Sequence, residues 1–382
     1  MMEFERILNL PLCLAQKSHF LLGPRSTGKS FLIRQQLEDK AFVIDLLRGD
    51  LFLRLSANPH ELEGIITAAS PKRKIVVIDE IQKIPTLLDE VHRLMEKHLW
   101  IFLLTGSSAR KLKRGHANLL AGRAWMAHLF SLVSREIPHF DLDRFLRYGG
   151  LPQVYPSSNP AEELDAYVQT YLREEIRAEG LVRNLPPFSR FLKSAALSNG
   201  LLLNFANLAS DTEIAASTIR EYYSILEDTL IGFFLEPWSG SKKRKAIQTA
   251  KFYFFDTGVT HALAGTQSLD RNSNLYGASF EQFLGLELRA FLDYKRIKEP
   301  LTFWRSTGGH EVDFLIGDHT AIEIKASRRV SPRDMSGLRA LAEEKKFKKY
   351  YLVTQDPIAS NQGKIVCLPW KNFLEKLWDD EI

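Results

Sequence analysis

Short apolar runs alternate with helical periodicity over the first part of the chain. One run covers 19–22 and stops at Gly23, after which apolar residues return every three or four positions. Two further runs, 75–78 and 100–104, are each followed by polar residues. A strand that leads through a short loop into a helix, repeated several times, is typical of a parallel sheet covered by helices. The pattern therefore predicts an α/β domain over residues 1–140.

Helical spacing dominates the next part of the chain. Apolar and aromatic residues recur every three to four positions from 143 to 179, and a turn rich in glycine and proline interrupts them at 149–152. We therefore expect a helical lid or linker over residues 141–185.

A further helical stretch precedes two apolar runs. Thr218 begins a capping-box pattern in front of a helix whose apolar positions extend to residue 230. The runs 231–235 and 251–255 are typical of the two strands of a β-hairpin. Helix, turn, helix and hairpin in this order predict a winged-helix domain over residues 186–268.

The last third of the chain returns to mixed elements. A helix with an apolar face is predicted around 277–288, followed by two apolar strands at 311–316 and 320–325 with a Gly-Asp turn between them. Another helix and another strand come next. The order predicts a C-terminal α/β domain over residues 269–382.

The composition favours a multidomain cytoplasmic protein. The 382 residues exceed the usual size of one domain, and the 45% hydrophobic and 25% charged content is near the globular average. The two cysteines lie far apart, so neither a disulfide framework nor a cysteine zinc site is indicated. No apolar run approaches about 20 residues and no secretory signal is apparent, so we expect no membrane span. The formal charge of +5 favours anionic partners only slightly.

The loop after the first strand has the spacing G-x-x-x-x-G-K-S. This spacing lets backbone N–H groups surround a phosphate, and the following helix adds the positive end of its dipole. Lys29 is expected to reach the β and γ phosphates of a nucleotide, and Ser30 to hold Mg²⁺. The residues predicted to bind the nucleotide are Gly23, Pro24, Arg25, Ser26, Thr27, Gly28, Lys29 and Ser30.

Polar residues at the ends of the next two predicted strands complete a hydrolytic site. Asp79 is expected to hold Mg²⁺ through water, and Glu80 to orient or deprotonate the attacking water. Ser107 is a candidate sensor of the γ phosphate, with a plain turn residue as the alternative. Arg123 is a candidate for stabilising phosphate charge, in its own subunit or in a neighbouring one.

These segments resemble the bacterial AAA+-type ATPases that carry a C-terminal domain of unknown function. The resemblance rests on GPRSTGKS, VVIDEIQKIP, LLTGSSAR and LAGRA, and later on YGGLPQVY, KFYFFDTGV and GASFEQFLGLEL. Arg25-Ser26 stands where many relatives have arginine followed by glutamine, which leaves the phosphate-binding atoms unchanged. The resemblance implies ATP binding and hydrolysis with Mg²⁺, and says little about what the energy is used for.

The predicted winged helix has two interpretations. Four consecutive cations at 242–245 can neutralise nucleic-acid phosphates. The preceding helix also carries Glu221, Glu227 and Asp228, which would repel a phosphate backbone. DNA binding and packing against a domain or protein partner therefore both remain open.

Two carboxylates and a lysine are expected to converge in the C-terminal domain. Glu323 and Lys325 project from one face of a strand, and the neighbouring strand can bring Asp313 beside them. With Glu281 from the preceding helix, this set suits Mg²⁺-assisted phosphodiester hydrolysis. The pattern is similar to the PD-(D/E)xK nuclease superfamily, which implies a restriction-endonuclease-like fold. The acids can also be structural ion pairs in an inactive domain of that fold.

Two hypotheses about function follow. The first is an ATPase that couples nucleotide binding or hydrolysis to a nuclease-like module acting on DNA or RNA. The second is a nucleotide-dependent switch that binds protein partners or a second copy of itself, with an inactive nuclease-like domain.

Overall fold

The computed structural model describes residues 3–69, 74–108, 120, 122–172 and 185–382. The described chain forms two compact units. The first comprises Met1–Leu132 together with Leu226–Ile231, and the second comprises Val133–Ile225 together with Gly232–Ile382.

The first unit is built on a five-stranded sheet. The strands follow the order β2-β3-β4-β1-β5, and every neighbouring pair is parallel. Parallel strands end at the same edge of a sheet, so the loops that follow β1, β3 and β4 are brought together. The α/β fold with a parallel sheet predicted from the sequence is confirmed. The strands are β1 Ser18–Leu22, β2 Ala41–Asp45, β3 Ile75–Asp79, β4 Ile101–Gly106 and β5 Ala124–His128.

Helices cover this sheet through their apolar sides. In α5, the side chains Leu88, Val91 and Leu94 are fully buried in the same core as Val76 and Phe102 of the sheet. Burial of each such side chain contributes about 1.5–3 kcal/mol. The helices of the first unit are α1 Leu10–Gln16, α2 Lys29–Leu37, α3 Gly49–Ala57, α4 Glu61–Ala69 and α5 Leu87–His98.

The second unit contains an eight-stranded mixed sheet. Its strands follow the order β12-β13-β11-β10-β9-β8-β6-β7. The strands are β6 Gly232–Pro237, β7 Lys251–Phe254, β8 Leu301–Arg305, β9 Glu311–Ile316, β10 Thr320–Lys325, β11 Lys349–Thr354, β12 Ser360–Gln362 and β13 Ile365–Pro369.

The two strands predicted as a wing belong to this sheet. Strands β6 and β7 pair antiparallel, as a hairpin does, but β6 also pairs with β8 in parallel. They are therefore the last two strands on one side of the C-terminal sheet, with β7 at the edge, and not a separate wing. Apolar runs identify strands but not their lateral neighbours, which is why the sequence pattern missed this pairing.

Backbone N–H groups of the basic segment 242–245 are hydrogen-bonded to Glu344, which lies in the turn after the helix 336–342. The carboxylate of Glu344 accepts hydrogen bonds from the N–H groups of Lys242 (2.8 Å) and Arg244 (3.2 Å) and from the Ser241 hydroxyl (2.8 Å). It also accepts from the N–H of Lys243. The segment is thus more than a solvated hairpin tip.

The helices of the second unit pack on this sheet and on one another. The helix predicted to begin at Thr218 begins two residues earlier, so Thr218 lies within it and does not cap it.

Among the described residues, no helix has the length and apolar character needed to cross a bilayer. The helices are α6 Leu142–Tyr148, α7 Pro160–Ala166, the π-helical segment Tyr167–Leu172, α8 Leu185–Leu197, α9 Phe205–Thr212, α10 Ala216–Asp228, α11 Thr257–Ala264, α12 Asn274–Tyr294, α13 Ser336–Ala342 and α14 Trp370–Trp378.

Helix α13 lies so close to strand β9 that only glycine is accommodated at Gly337. A Cβ atom there would lie 1.7 Å from the carbonyl oxygen of Glu311. We predict that Gly337→Ala lowers the free energy of unfolding by about 1–3 kcal/mol, because the helix must move away from the sheet. Gly277→Ala, in open space on helix α12, is the matched control and should raise it by up to about 1 kcal/mol. Urea unfolding measures both, and equal effects would contradict the close approach.

Candidate functional site

Positive φ angles, a backbone hydrogen bond and a close backbone contact determine the shape of the phosphate loop. Ser26 and Gly28 have positive φ angles of 62° and 96°, which turn the chain into helix α2. Gly23 donates its N–H to the carbonyl of Gly106 (3.3 Å), and a Cβ on Gly23 would lie 2.4 Å from the carbonyl oxygen of Leu129. The loop is therefore fastened to the strand ends on both sides of β1.

The ammonium group of Lys29 lies inside this loop. Its Nζ donates hydrogen bonds to the carbonyl oxygens of Gly23 (2.7 Å) and Pro24 (3.0 Å), and the side chain is buried. Thr27 closes the turn with a hydroxyl bond to Pro24 (2.9 Å). A buried ammonium at the start of a helix can neutralise the charge of bound phosphates.

Arg6 supports the loop from behind, and sequence reasoning missed it. Its guanidinium donates to the carbonyl oxygens of Thr27 (2.8 Å) and Phe130 (2.7 Å). The side chain is only 8% exposed. Arg6 belongs to no local motif and lies 21 residues before Thr27, so no pattern in the sequence indicates this contact.

Asp79 joins three elements of the first unit at the end of β3. Its Oδ2 accepts a hydrogen bond from the hydroxyl of Ser30 (3.0 Å) on helix α2. Its Oδ1 accepts a hydrogen bond from the hydroxyl of Thr105 on strand β4. The two residues predicted to share Mg²⁺, Ser30 and Asp79, are thus in contact, and both offer the oxygen atoms that Mg²⁺ prefers. Thr105 is a site residue that sequence reasoning missed.

Glu80 follows Asp79 in a left-handed backbone conformation (φ 60°, ψ 43°). Its N–H donates to the Thr105 hydroxyl (3.2 Å), and its carboxylate accepts a hydrogen bond from Gln82. Burial raises the pKa of Glu80 above its ordinary value, although Lys29 acts in the opposite direction. A carboxylate with a raised pKa is better matched to accepting a proton near neutral pH.

Ser107 lies at the end of β4, within the same group of strand ends. Its hydroxyl accepts a hydrogen bond from the Gln82 amide (3.2 Å), and the residue is buried. Gln82, which the sequence did not single out, thus connects the predicted sensor Ser107 to the predicted base Glu80.

Arg123 makes a different contact. Its guanidinium pairs with the Glu96 carboxylate (2.8 Å) on helix α5, and both side chains are largely exposed. This pair lowers the pKa of Glu96. An action of Arg123 on phosphates, in its own chain or in a neighbouring one, stays a prediction.

The second unit contains an acidic cavity of about 320 Å³. Strand register brings Asp313 and Glu323 to adjacent positions, since Ile322 of β10 pairs with Phe314 of β9. The four residues predicted from the sequence share this cavity. Its charged lining consists of Glu281, Asp313, Glu323 and Lys325, joined by Lys251, Arg305 and Glu311.

Two lysines neutralise the acids of this cavity in pairs. Lys325 Nζ lies 2.5 Å from Glu323 Oε1 and 3.9 Å from Asp313 Oδ2. Lys251 Nζ lies 3.2 Å from Glu281 Oε1 and 2.7 Å from Glu311 Oε1. Sequence reasoning missed Lys251 and Glu311 because both lie outside the short motif.

Burial strongly perturbs the acids of the cavity. Burial, followed by the charge of Glu281, raises the pKa of Asp313 to about 7, and burial next to Asp313 raises the pKa of Glu323 well above its ordinary value. Asp313 also accepts the N–H of Ile324 (2.7 Å).

One carboxylate oxygen in this cavity is available to bind a cation. The Oε2 atom of Glu323 is buried and has no hydrogen-bond partner among the residues that the structure describes. However, no three His, Cys, Asp or Glu side chains in the described part of the chain are grouped closely enough to hold a metal ion. The donor set suits a hard cation, but Glu281 is held by Lys251 and would have to turn to join it.

Three families match successive segments of the chain. Residues 15–138 match a family described as AAA domain, residues 139–270 a domain of unknown function (DUF8612) and residues 276–373 another domain of unknown function (DUF4143). The first segment contains the phosphate loop and the strand ends around it. It is a nucleotide-binding domain of the P-loop ATPase type.

Two mycobacterial proteins are similar to most of the chain. The uncharacterized protein Rv2008c of Mycobacterium tuberculosis and the uncharacterized protein Mb2031c of Mycobacterium bovis are each 30% identical over 312 residues. The match covers 78% of this chain and 66% of each relative, so the chain spans just under two thirds of their length.

One solved structure has a weaker likeness. The replication initiator DnaA bound to AMPPCP and single-stranded DNA matches 57% of this chain and 86% of its own chain at 10% identity. The TM-score is 0.31, a level at which a shared fold is not established.

The raised pKa of Asp313 predicts a pH dependence of stability. Between about pH 4 and pH 7 the folded chain keeps a proton that the unfolded chain releases, so the free energy of unfolding falls as pH rises, by about 1.4 kcal/mol per unit for one proton. Asp313→Asn should flatten this part of the profile. Urea unfolding at several pH values measures the slope.

The exposed Asp165→Asn is a control that removes the same formal charge outside the cavity. It should retain the wild-type slope. If Asp313→Asn and Asp165→Asn give the same profile, Asp313 is not protonated in the folded chain near neutral pH.

Proposed function

We propose that the first unit is a Mg²⁺-dependent ATP hydrolase. The observation that carries the proposal is the convergence of the phosphate loop, Asp79, Glu80 and Ser107 at one edge of the parallel sheet. The match of residues 15–138 to the AAA domain family supports it.

Each side chain has a separate role in this proposal. Lys29 and the loop N–H groups bind the β and γ phosphates, and Ser107 donates its hydroxyl to the γ phosphate. Ser30 and Asp79 hold the Mg²⁺ ion, which neutralises phosphate charge. Glu80 accepts a proton from the attacking water as its oxygen bonds to phosphorus and the bond to ADP breaks.

We predict that Lys29→Ala lowers kcat/KM for ATP by about 100-fold or more, because the charge inside the loop is lost. Phosphate release measures this. Lys40→Ala, at an exposed lysine beyond helix α2, is the matched control and should retain wild-type activity. Hydrolysis that persists unchanged in Lys29→Ala would rule out this site.

A second candidate function belongs to the acidic cavity of the second unit. The carboxylates of Asp313 and Glu323, with the unpartnered oxygen of Glu323, can hold a divalent cation, and Lys325 can stabilise the charge of a phosphodiester. Cleavage of DNA or RNA is therefore the activity proposed for the cavity. ATP hydrolysis in the first unit would then serve this module.

The alternative is a nucleotide-dependent switch that recognises protein partners and cleaves nothing. In that case the lysine pairs of the cavity are structural, and Lys251 and Lys325 neutralise acids that stabilise the fold. Stimulation of ATP hydrolysis by DNA or RNA would favour the nucleic-acid-cleaving module, and the absence of stimulation would favour the switch.

We predict Mg²⁺- or Mn²⁺-dependent cleavage of a labelled DNA or RNA strand by the full chain. The Asp313→Ala, Lys325→Ala double variant should lose it at least 100-fold, because cation binding and charge stabilisation are removed together. The exposed pair Asp165→Ala, Lys298→Ala is the control and should cleave as wild type does. Cleavage that survives in the first double variant excludes the cavity, and the lack of any cleavage by wild type supports the switch.

A further inference from the structure

Gln82 occupies a buried position between the two polar strand ends of the nucleotide site. It lies in the short 3₁₀ turn Ile81–Lys83, which Glu80 separates from the end of β3, and it is 5% exposed. Its Nε2 donates to Glu80 Oε2 and to Ser107 Oγ (3.2 Å). An amide nitrogen carries two hydrogens, so both bonds can form at once.

The orientation of this amide follows from its neighbours. If Nε2 and Oε1 were exchanged, the amide oxygen would face the Glu80 carboxylate, and no hydrogen of the amide would lie between the two oxygen atoms. In the observed orientation Oε1 is buried, and the described part of the chain offers it no hydrogen-bond partner. Leaving a buried acceptor unsatisfied is unfavourable, so the bonds of Nε2 to Glu80 and Ser107 hold the amide in this orientation.

Gly106 provides the space for the amide oxygen. A Cβ atom at this position would lie 2.6 Å from Gln82 Oε1. The backbone of Gly106 is not in the left-handed region, so alanine is compatible with its conformation. Gly106→Ala therefore offers a way to displace the Gln82 amide without changing Gln82.

Glu80 is restrained from two directions. Its backbone N–H is bonded to Thr105 Oγ1 (3.2 Å), and its carboxylate is bonded to Gln82. Among the described residues, Gln82 is the side chain that donates a hydrogen bond to the Glu80 carboxylate. With Oε2 held by Gln82, the orientation of the carboxylate is restricted, and so is the direction of the Oε1 lone pairs.

We infer that Gln82 is a positioning residue for ATP hydrolysis, which orients the Glu80 carboxylate and connects it to Ser107. The inference rests on the proposed ATPase function and adds Gln82 to the polar residues of that site. Because Ser107 is the proposed donor to the γ phosphate, the Gln82 amide links the phosphate side of the site to the base. This link fixes the position of the Glu80 carboxylate relative to the phosphorus atom that the water attacks.

The test compares Gln82→Met and Gly106→Ala in the full chain, each in the wild-type background and in Glu80→Gln. Gln82→Met preserves the approximate size of the side chain and removes both N–H donors. In the wild-type background each variant should lower kcat 10- to 100-fold and change the dissociation constant of a fluorescent ATP analogue less than twofold. In Glu80→Gln, single-turnover rates should fall no further, because Gln82 acts through Glu80.

The exposed Gln35→Met on helix α2 is the control and should keep the wild-type kcat and the wild-type affinity for the ATP analogue.

The outcomes separate this inference from the proposed function. If wild type shows no hydrolysis that Lys29→Ala removes, the proposed function itself fails. If wild type hydrolyses ATP and Gln82→Met does so equally fast, only the inference is overturned. Equal losses in the wild-type and Glu80→Gln backgrounds, or parallel losses of rate and ATP affinity, also overturn it.

Discussion

A carboxylate that becomes buried on folding loses its hydrogen bonds to water and needs donors or cations within the protein. The buried carboxylates of both units meet this requirement. In the first unit, Asp79 accepts bonds from the hydroxyls of Ser30 and Thr105, which belong to a neighbouring helix and a neighbouring strand. These bonds fix the positions of three elements relative to one another. In the second unit, lysine ammonium groups supply the compensation, and the acids occur in pairs around them.

The sequence predicted the strand ends of the first unit well, because apolar runs stop where a parallel strand leaves the sheet. Gly23, Asp79 and Ser107 each follow such a run, and the parallel sheet brings them to one edge. Gln82 and Thr105 could not be predicted in the same way. Their roles depend on which side chains meet across strands 25 or more positions apart, and an isolated glutamine or threonine carries no periodic signal.

The second unit shows the same division between local and distant information. The alternation of β10 and the tight turn before it placed Glu323, Lys325 and Asp313 on one face, since adjacent antiparallel strands have a defined register. Glu311 lies two positions before Asp313 on β9, so the same alternation accounts for it. Lys251 lies on β7, and its place in the cavity depends on lateral strand pairing that the pattern does not encode. The lateral pairing of β6 with β8 was missed for the same reason, and the strands interpreted as a wing proved to be the edge of a larger sheet.

The contact of Glu344 with segment 242–245 has a consequence for any anion that approaches this surface. The carboxylate belongs to the same chain, so it competes for the backbone N–H groups at an effective concentration on the order of millimolar or more. The backbone donors are therefore already saturated by an internal ligand. What remains for an external phosphate is the outward charge of Lys242, Lys243 and Lys245, which are exposed. Attraction of that kind acts at long range and weakens with ionic strength, and it does not distinguish one phosphate geometry from another.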